Sequence, residues 1–154
     1  MKRRDAIKVA ALATLGVAMN AEACPSEKSC PSKVSCHADT KKNRKLMSPK
    51  DASHLTKAEL KHTPQITLGN KDAHGYTLVE ITVGQEGILH PSTKEHWIDF
   101  ITLYADKKLV GETELEAEIS RGATAFRVKL DGVKYITANA GCNIHGIWAN
   151  TIAL

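Results

Sequence analysis

The sequence predicts an all-β protein: an antiparallel β-sandwich of about a hundred residues, preceded by an export signal and a disordered, cysteine-containing arm. Two observations carry the sandwich. From Gln65 onward, short apolar segments are split by turn residues at close intervals. No long segment repeats with a period of 3.6, which argues against a helical bundle. A third observation carries the arm: from Cys24 to about Pro49 the chain is dominated by Pro, Ser and Lys and shows neither period. At 154 residues, with 42% apolar and 25% charged residues, the chain fits one globular domain plus an appendage.

The start of the chain has the layout of an export address. Met1 to Lys8 is charged, Val9 to Met19 is apolar and alanine-rich, and Ala21-Glu22-Ala23 offers a small-x-small cleavage site. The apolar run of 11 residues is too short to span a bilayer as a permanent helix. Arg3-Arg4 followed by Ile7-Lys8 is twin-arginine-like, and that route exports folded proteins. Residues 1–23 are therefore assigned as the signal, and the bacterial periplasm is the expected location. The competing reading is an amphipathic N-terminal helix of the mature fold. Cys24 follows the expected cut, so lipidation and membrane anchoring form a second alternative, although Glu22 fits that pattern poorly.

Residues 24–56 form the expected arm. Cys24, Cys30, Cys36 and His37 could make a second metal or redox site. However, five residues separate successive cysteines, whereas structural zinc sites use pairs two to four apart. The plainer reading is a linker in which two cysteines pair in an oxidising compartment. A short helical turn is expected from Ala52 to Leu60, with His54 on the surface.

The strands follow in order. Gly69 to Asp72 marks a turn. Tyr76 to Val83 alternates, with Val79, Ile81 and Val83 on one face. Gly84 to Gly87 breaks that segment. Trp97 to Tyr104 is β-branched and aromatic, and Asp106 to Lys108 turns the chain into Leu109 to Leu115. Thr124 to Leu130 alternates, with Phe126, Val128 and Leu130 together. Asp131-Gly132 is a hairpin signal before Val133 to Ala138, and Ile147 to Ile152 is the last expected strand.

Charge excludes one class of partner. The net charge is +4, and Lys2, Arg3, Arg4 and Lys8 against Asp5 and Glu22 place +2 of it in the first 23 residues. What remains is too weak for a nucleic-acid footprint, and no basic stripe carries interleaved aromatics. A mild positive balance still favours a small anion.

Three blocks carry the chemistry. Cys142-x-x-His145-Gly146 places a thiol and an imidazole within one turn, which fits a metal site, a disulfide or nothing. His90-Pro91 and His96-Trp97 flank a loop long enough to return both rings to one centre. Lys61-His62 adds an imidazole beside a cation. His74 belongs to a turn and stays solvated. Four imidazoles and a thiolate exceed the four ligands of a closed zinc site. Such a set suits a redox iron with an open position.

In this order, Lys61-His62-Thr63-Pro64, His90-Pro91-x4-His96-Trp97-Ile98 and Cys142-Asn143-x-His145-Gly146-x-Trp148 resemble the superoxide reductases, the iron domain of neelaredoxin and desulfoferrodoxin. The resemblance spans residues 57–154. It implies an Ig-like β-sandwich and one iron ion, cycling between Fe2+ and Fe3+, with His62, His90, His96 and His145 equatorial and Cys142 axial. It implies an oxidoreductase that converts superoxide to hydrogen peroxide by one electron, in oxidative-stress defence, with Lys61 as the catalytic cation. The electron donor is unidentified, and homo-oligomerisation is left open. Many members carry a glutamate before the lysine that fills the sixth position of the oxidised iron; here that place is Leu60, with Glu59 one residue away. The paired cysteines of the family's rubredoxin-like module are also missing. The alternatives are an electron-transfer module of the same fold without efficient reductase activity, and a structural domain whose histidines bind nothing.

Overall fold

The computed structural model describes residues 43–154. The signal at 1–23, Cys24, Cys30, Cys36 and His37 lie outside the described residues. The elements run β1 (Leu46–Met47), α1 (Lys57–His62), β2 (Pro64–Lys71), β3 (Thr77–Val83), β4 (Ile98–Ala105), β5 (Lys108–Glu114), β6 (Ala123–Val128), β7 (Tyr135–Cys142) and β8 (Gly146–Ala153). They build a five-stranded sheet in the order β1-β8-β7-β4-β5 and a three-stranded sheet in the order β2-β3-β6. All pairings are antiparallel except the short parallel one between β1 and β8.

The core fills the space between the sheets, because one face of each strand is apolar. Val79, Ile81 and Val83 of β3 point inward, as their alternation predicts. They meet Ile101 and Leu103 of β4 and Ile136, Ala138 and Ala140 of β7. Strand β4 lies inside its sheet, so nearly all of it is buried. Cys142 continues the inward series of β7 and is fully buried in the same cluster. The thiol is thus a core residue at the end of the sandwich where the histidines gather.

Several local expectations are corrected. Strand β2 runs on through Gly69 to Lys71 with an irregularity after Leu68, and the turn sits at Asp72 to Gly75, where Asp72 accepts from the backbone of His74 and Tyr76. Asp131-Gly132 does form a turn, with Gly132 at φ +79 and Val133 N–H donating to Leu130 O at 3.1 Å. That turn closes no hairpin. Strand β6 pairs with β3 and strand β7 with β4 and β8, so it carries the chain from one sheet to the other. The helix sits later than expected, because Thr56 and Glu59 make a capping box that starts it at Lys57. Finally, 43–47 lie in the stretch expected to be an arm, yet they dock: Ile147 N–H donates to Lys45 O at 2.8 Å, and Leu46 and Met47 pair with Ile147 and Trp148. Backbone pairing of this kind leaves no mark on composition.

Candidate metal centre

The site is assembled from three connections at one end of the sandwich. Helix α1 presents His62 in its last turn. Its ring Nδ1–H donates to the carbonyl of Ala58, one turn back, at 2.6 Å, which leaves Nε2 as a lone pair. The loop from β3 to β4 carries His90 and His96. It is tied to α1 by Gln85 N–H on Leu60 O and by Gly84 N–H on Thr63 O. Gly84 has φ +119, and a Cβ there would lie 2.0 Å from the carbonyl of Ile88, so only glycine fits. Fully buried His90 donates from Nδ1 to Pro91 O at 2.8 Å.

The third connection is the β7–β8 hairpin. Cys142 pairs with Gly146, and Asn143, Ile144 and His145 form its three-residue loop, which Gly146 closes at φ +94. Buried Asn143 joins this loop to the histidine loop. Its side chain accepts from Trp97 N–H at 3.0 Å and donates to Glu95 O at 2.8 Å, while its own N–H donates to Trp97 O at 3.1 Å. Trp148 stacks on the His62 ring at 5.3 Å and donates from Nε1 to His145 O at 3.2 Å. The sequence motif contains both Asn143 and Trp148 without giving either a role of its own. The available signal was an asparagine directly between the expected thiol ligand and its turn.

Four of the expected ligands converge tightly. Donor atoms of His62, His96, Cys142 and His145 all lie within 4.8 Å of one another. His145 Nδ1 is 2.9 Å from His62 Nε2, 3.1 Å from His96 Nε2 and 3.5 Å from Cys142 Sγ. Two nitrogens each about 2.1 Å from one metal ion, at right angles to each other, would be about 3.0 Å apart. His90 stands outside that closest group. Its ring meets those of His62 and His96 edge-on, at 4.9 and 4.4 Å between centroids. Its Nε2 is buried and has no hydrogen-bond partner. A buried lone pair without a donor is costly, and a cation among these rings would satisfy it. The donor set therefore fits a metal ion. His54 and His74 are exposed and lie apart from it.

The electrostatics agree. Burial pushes the His90 pKa down to about 3 and that of His96 down to about 4, and it lowers His62 as well. The charge of Lys61 adds to the lowering at His62 and His96, so this half-buried cation stands beside the rings. Neutral imidazoles are the form that binds metal. Burial pushes the Cys142 thiol up, while hydrogen bonds from the backbone N–H groups of Ile144 and His145 oppose it. His62, His90 and Cys142 form the closed side of the site, and His145 is exposed to solvent.

The family model for desulfoferrodoxin matches residues 54–151. The chain belongs to the desulfoferrodoxin family. It is 37% identical over 87 residues to a superoxide reductase of Thermococcus kodakarensis, covering 49% of this chain and 73% of that one. A desulfoferrodoxin of Nitratidesulfovibrio vulgaris is 38% identical over 96 residues, 59% of this chain and 62% of its own length. Among solved structures, a superoxide reductase (1Fe-SOR) from Giardia intestinalis aligns with a TM-score of 0.53 at 29% identity, covering 61% of this chain and 98% of that one. The desulfoferrodoxin match spans all the residues that build the site, from His62 to His145.

One family feature has no counterpart here. Leu60 is buried, and the neighbouring Glu59 is already engaged. The Glu59 carboxylate accepts from Lys50 N–H at 3.0 Å, Thr56 N–H at 2.9 Å and the Thr56 hydroxyl at 2.7 Å, and these bonds hold its pKa below the usual range. Its role is to cap the helix.

Proposed function

We propose that this chain reduces superoxide to hydrogen peroxide at one iron ion held by His62, His90, His96, His145 and Cys142. The observation that carries the reading is the buried, partnerless Nε2 of His90 beside the four converging donors. A fifth donor goes beyond closed tetrahedral zinc. The names of the relatives support the reaction. Superoxide, one electron and two protons give one molecule of hydrogen peroxide. When bound, iron supplies that electron and regains it from a one-electron donor.

The chain's own residues do the rest. Lys61 draws the anion towards the site and orders the water that passes a proton inward. The exposed edge at His145 admits superoxide and solvent. The closed side keeps the thiolate of Cys142 from water and oxidants, and the N–H groups of Ile144 and His145 hold its sulfur. With Glu59 committed to the helix cap and Leu60 apolar, the chain offers no carboxylate from this turn to the open position. Any further ligand of a bound iron would therefore have to come from solvent: water, hydroxide or an external anion. The role is oxidative-stress defence, with residues 1–23 removed on export to the periplasm.

Metal analysis and an optical spectrum test this. The purified chain should hold one iron and gain a thiolate-to-iron absorption band on oxidation. Protein loaded with iron that shows no such band would reject the site. Leu60 favours a second reading, an electron-transfer module without efficient reductase activity. Pulse radiolysis separates the two, because only the reductase consumes superoxide rapidly. Mass spectrometry of exported material should find an N-terminus at or near Cys24.

A further inference from the structure

The register between β4 and β7 leaves one residue over. Ile98 pairs with Cys142 and Phe100 with Gly141, so Asp99 is the extra residue of a bulge opposite the thiol's own stretch of strand. Bulges re-aim a side chain. Here the bulge sets the carboxylate against β7: Asp99 Oδ1 lies 2.7 Å from where a Cβ on Gly141 would sit, one residue before Cys142. The Asp99 side chain is only 4% exposed. A buried carboxylate at that place puts a negative charge behind the metal-binding sulfur and must be compensated.

Compensation comes from the start of the described residues, 55 positions earlier in the chain. Arg44 makes a two-pronged ion pair with Asp99, Nη1 to Oδ1 at 3.0 Å and Nη2 to Oδ2. Its guanidinium also lies over the Phe100 ring, 5.8 Å from the centroid. The next residue, Lys45, accepts from Ile147 N–H, and its carbonyl would lie 2.7 Å from a Cβ on Gly146. The segment that delivers Arg44 is therefore fixed to the strand that leaves the ligand loop.

We propose that Arg44 is a positioning residue for the metal centre: acting through Asp99, it cancels the charge behind Cys142 and so sets how strongly the sulfur donates to the metal. The inference rests on the metal reading above. It assigns a role in the site to a residue that precedes the family match, which begins at residue 54. Without the Arg44 charge the carboxylate's field at the sulfur is less balanced, the thiolate becomes more electron-rich, and the oxidised metal would be favoured.

The test uses the full chain loaded with Co2+, whose thiolate-to-cobalt absorption reports the donor level of the sulfur without any turnover. Arg44→Gln should move that band to longer wavelength, and Arg44→Lys should leave it near its original position. The double variant Arg44→Gln, Asp99→Asn should return it, because both charges are then gone. In iron-loaded protein at a fixed solution potential, Arg44→Gln should raise the ferric-to-ferrous ratio roughly fivefold, as expected for one partly screened charge beside a ligand. An unmoved band in Arg44→Gln overturns the proposal. So does a double variant as displaced as the single one, because loss of packing would then explain the shift. A wild-type chain that binds Co2+ without a thiolate band overturns this proposal and the metal reading together, whereas a wild-type band with an indifferent Arg44 overturns this one alone.

Discussion

Cys142 shows how one side chain serves two masters. It extends the inward face of β7, so the fold buries it as it buries Ala138 and Ala140. Burial alone favours the neutral thiol, and the N–H groups of Ile144 and His145 work against that preference. Cys142→Ser should preserve the fold, since the change is nearly isosteric, and should abolish the thiolate absorption band of the oxidised protein. His90→Ala should weaken ferrous iron binding at least tenfold in chelator competition, on the order of what disturbing a metal site's outer partners alone costs. An unchanged affinity would remove His90 from the ligand set. Lys61 contributes charge rather than coordination, so its effect should be kinetic. Lys61→Ala should slow the reaction with superoxide roughly tenfold at low ionic strength and flatten its salt dependence. If the rate and its salt dependence both match the unaltered protein, Lys61 does not guide the anion.

Among the elements, the two ligand loops depend on Asn143 more than on any ligand. Its amide fastens the loop bearing His96 to the hairpin bearing Cys142 and His145. Asn143→Ala would remove the acceptor of the Trp97 N–H and the donor to the Glu95 carbonyl, and should cost about 2–4 kcal/mol in urea denaturation together with weaker metal binding. A loss below about 0.5 kcal/mol, the size of an ordinary surface substitution, would refute that role. Most of the strands were legible, because Val79, Ile81 and Val83 alternate without interruption. The donors His62, His96, Cys142 and His145 were legible because their blocks keep family order. What lay hidden was pairing between distant residues. Asp131-Gly132 announces a turn, yet its neighbours decide whether it closes a hairpin or changes sheets. Arg44 finds Asp99 across 55 positions, and nothing in a Lys- and Ser-rich stretch advertises that.

For the whole molecule, the buried imidazoles set the acid limit of the metal-free state. An unfolded histidine takes up its proton near pH 6.5, while His96 and His90 resist until about 4 and about 3. Above 6.5 both states are neutral and these groups leave stability unaffected. As the pH falls below 6.5, the unfolded chain binds more protons, so stability is lost progressively towards the folded values. The urea midpoint of metal-free protein should therefore drop between pH 7 and pH 5, and a midpoint constant over that range would contradict the buried, neutral assignment. The donors also come from both layers. His62 sits where the chain enters the small sheet at β2, His90 and His96 lie on the crossover from β3 to β4, and Cys142 and His145 belong to the large sheet. One ion bound to all of them would act as a rivet through the open end of the sandwich. The sheets could then no longer part at that end without surrendering ligands, so local opening would become one concerted event. Amide hydrogens of β2 and β8 should exchange at a common rate once metal is bound, slower than in the empty protein.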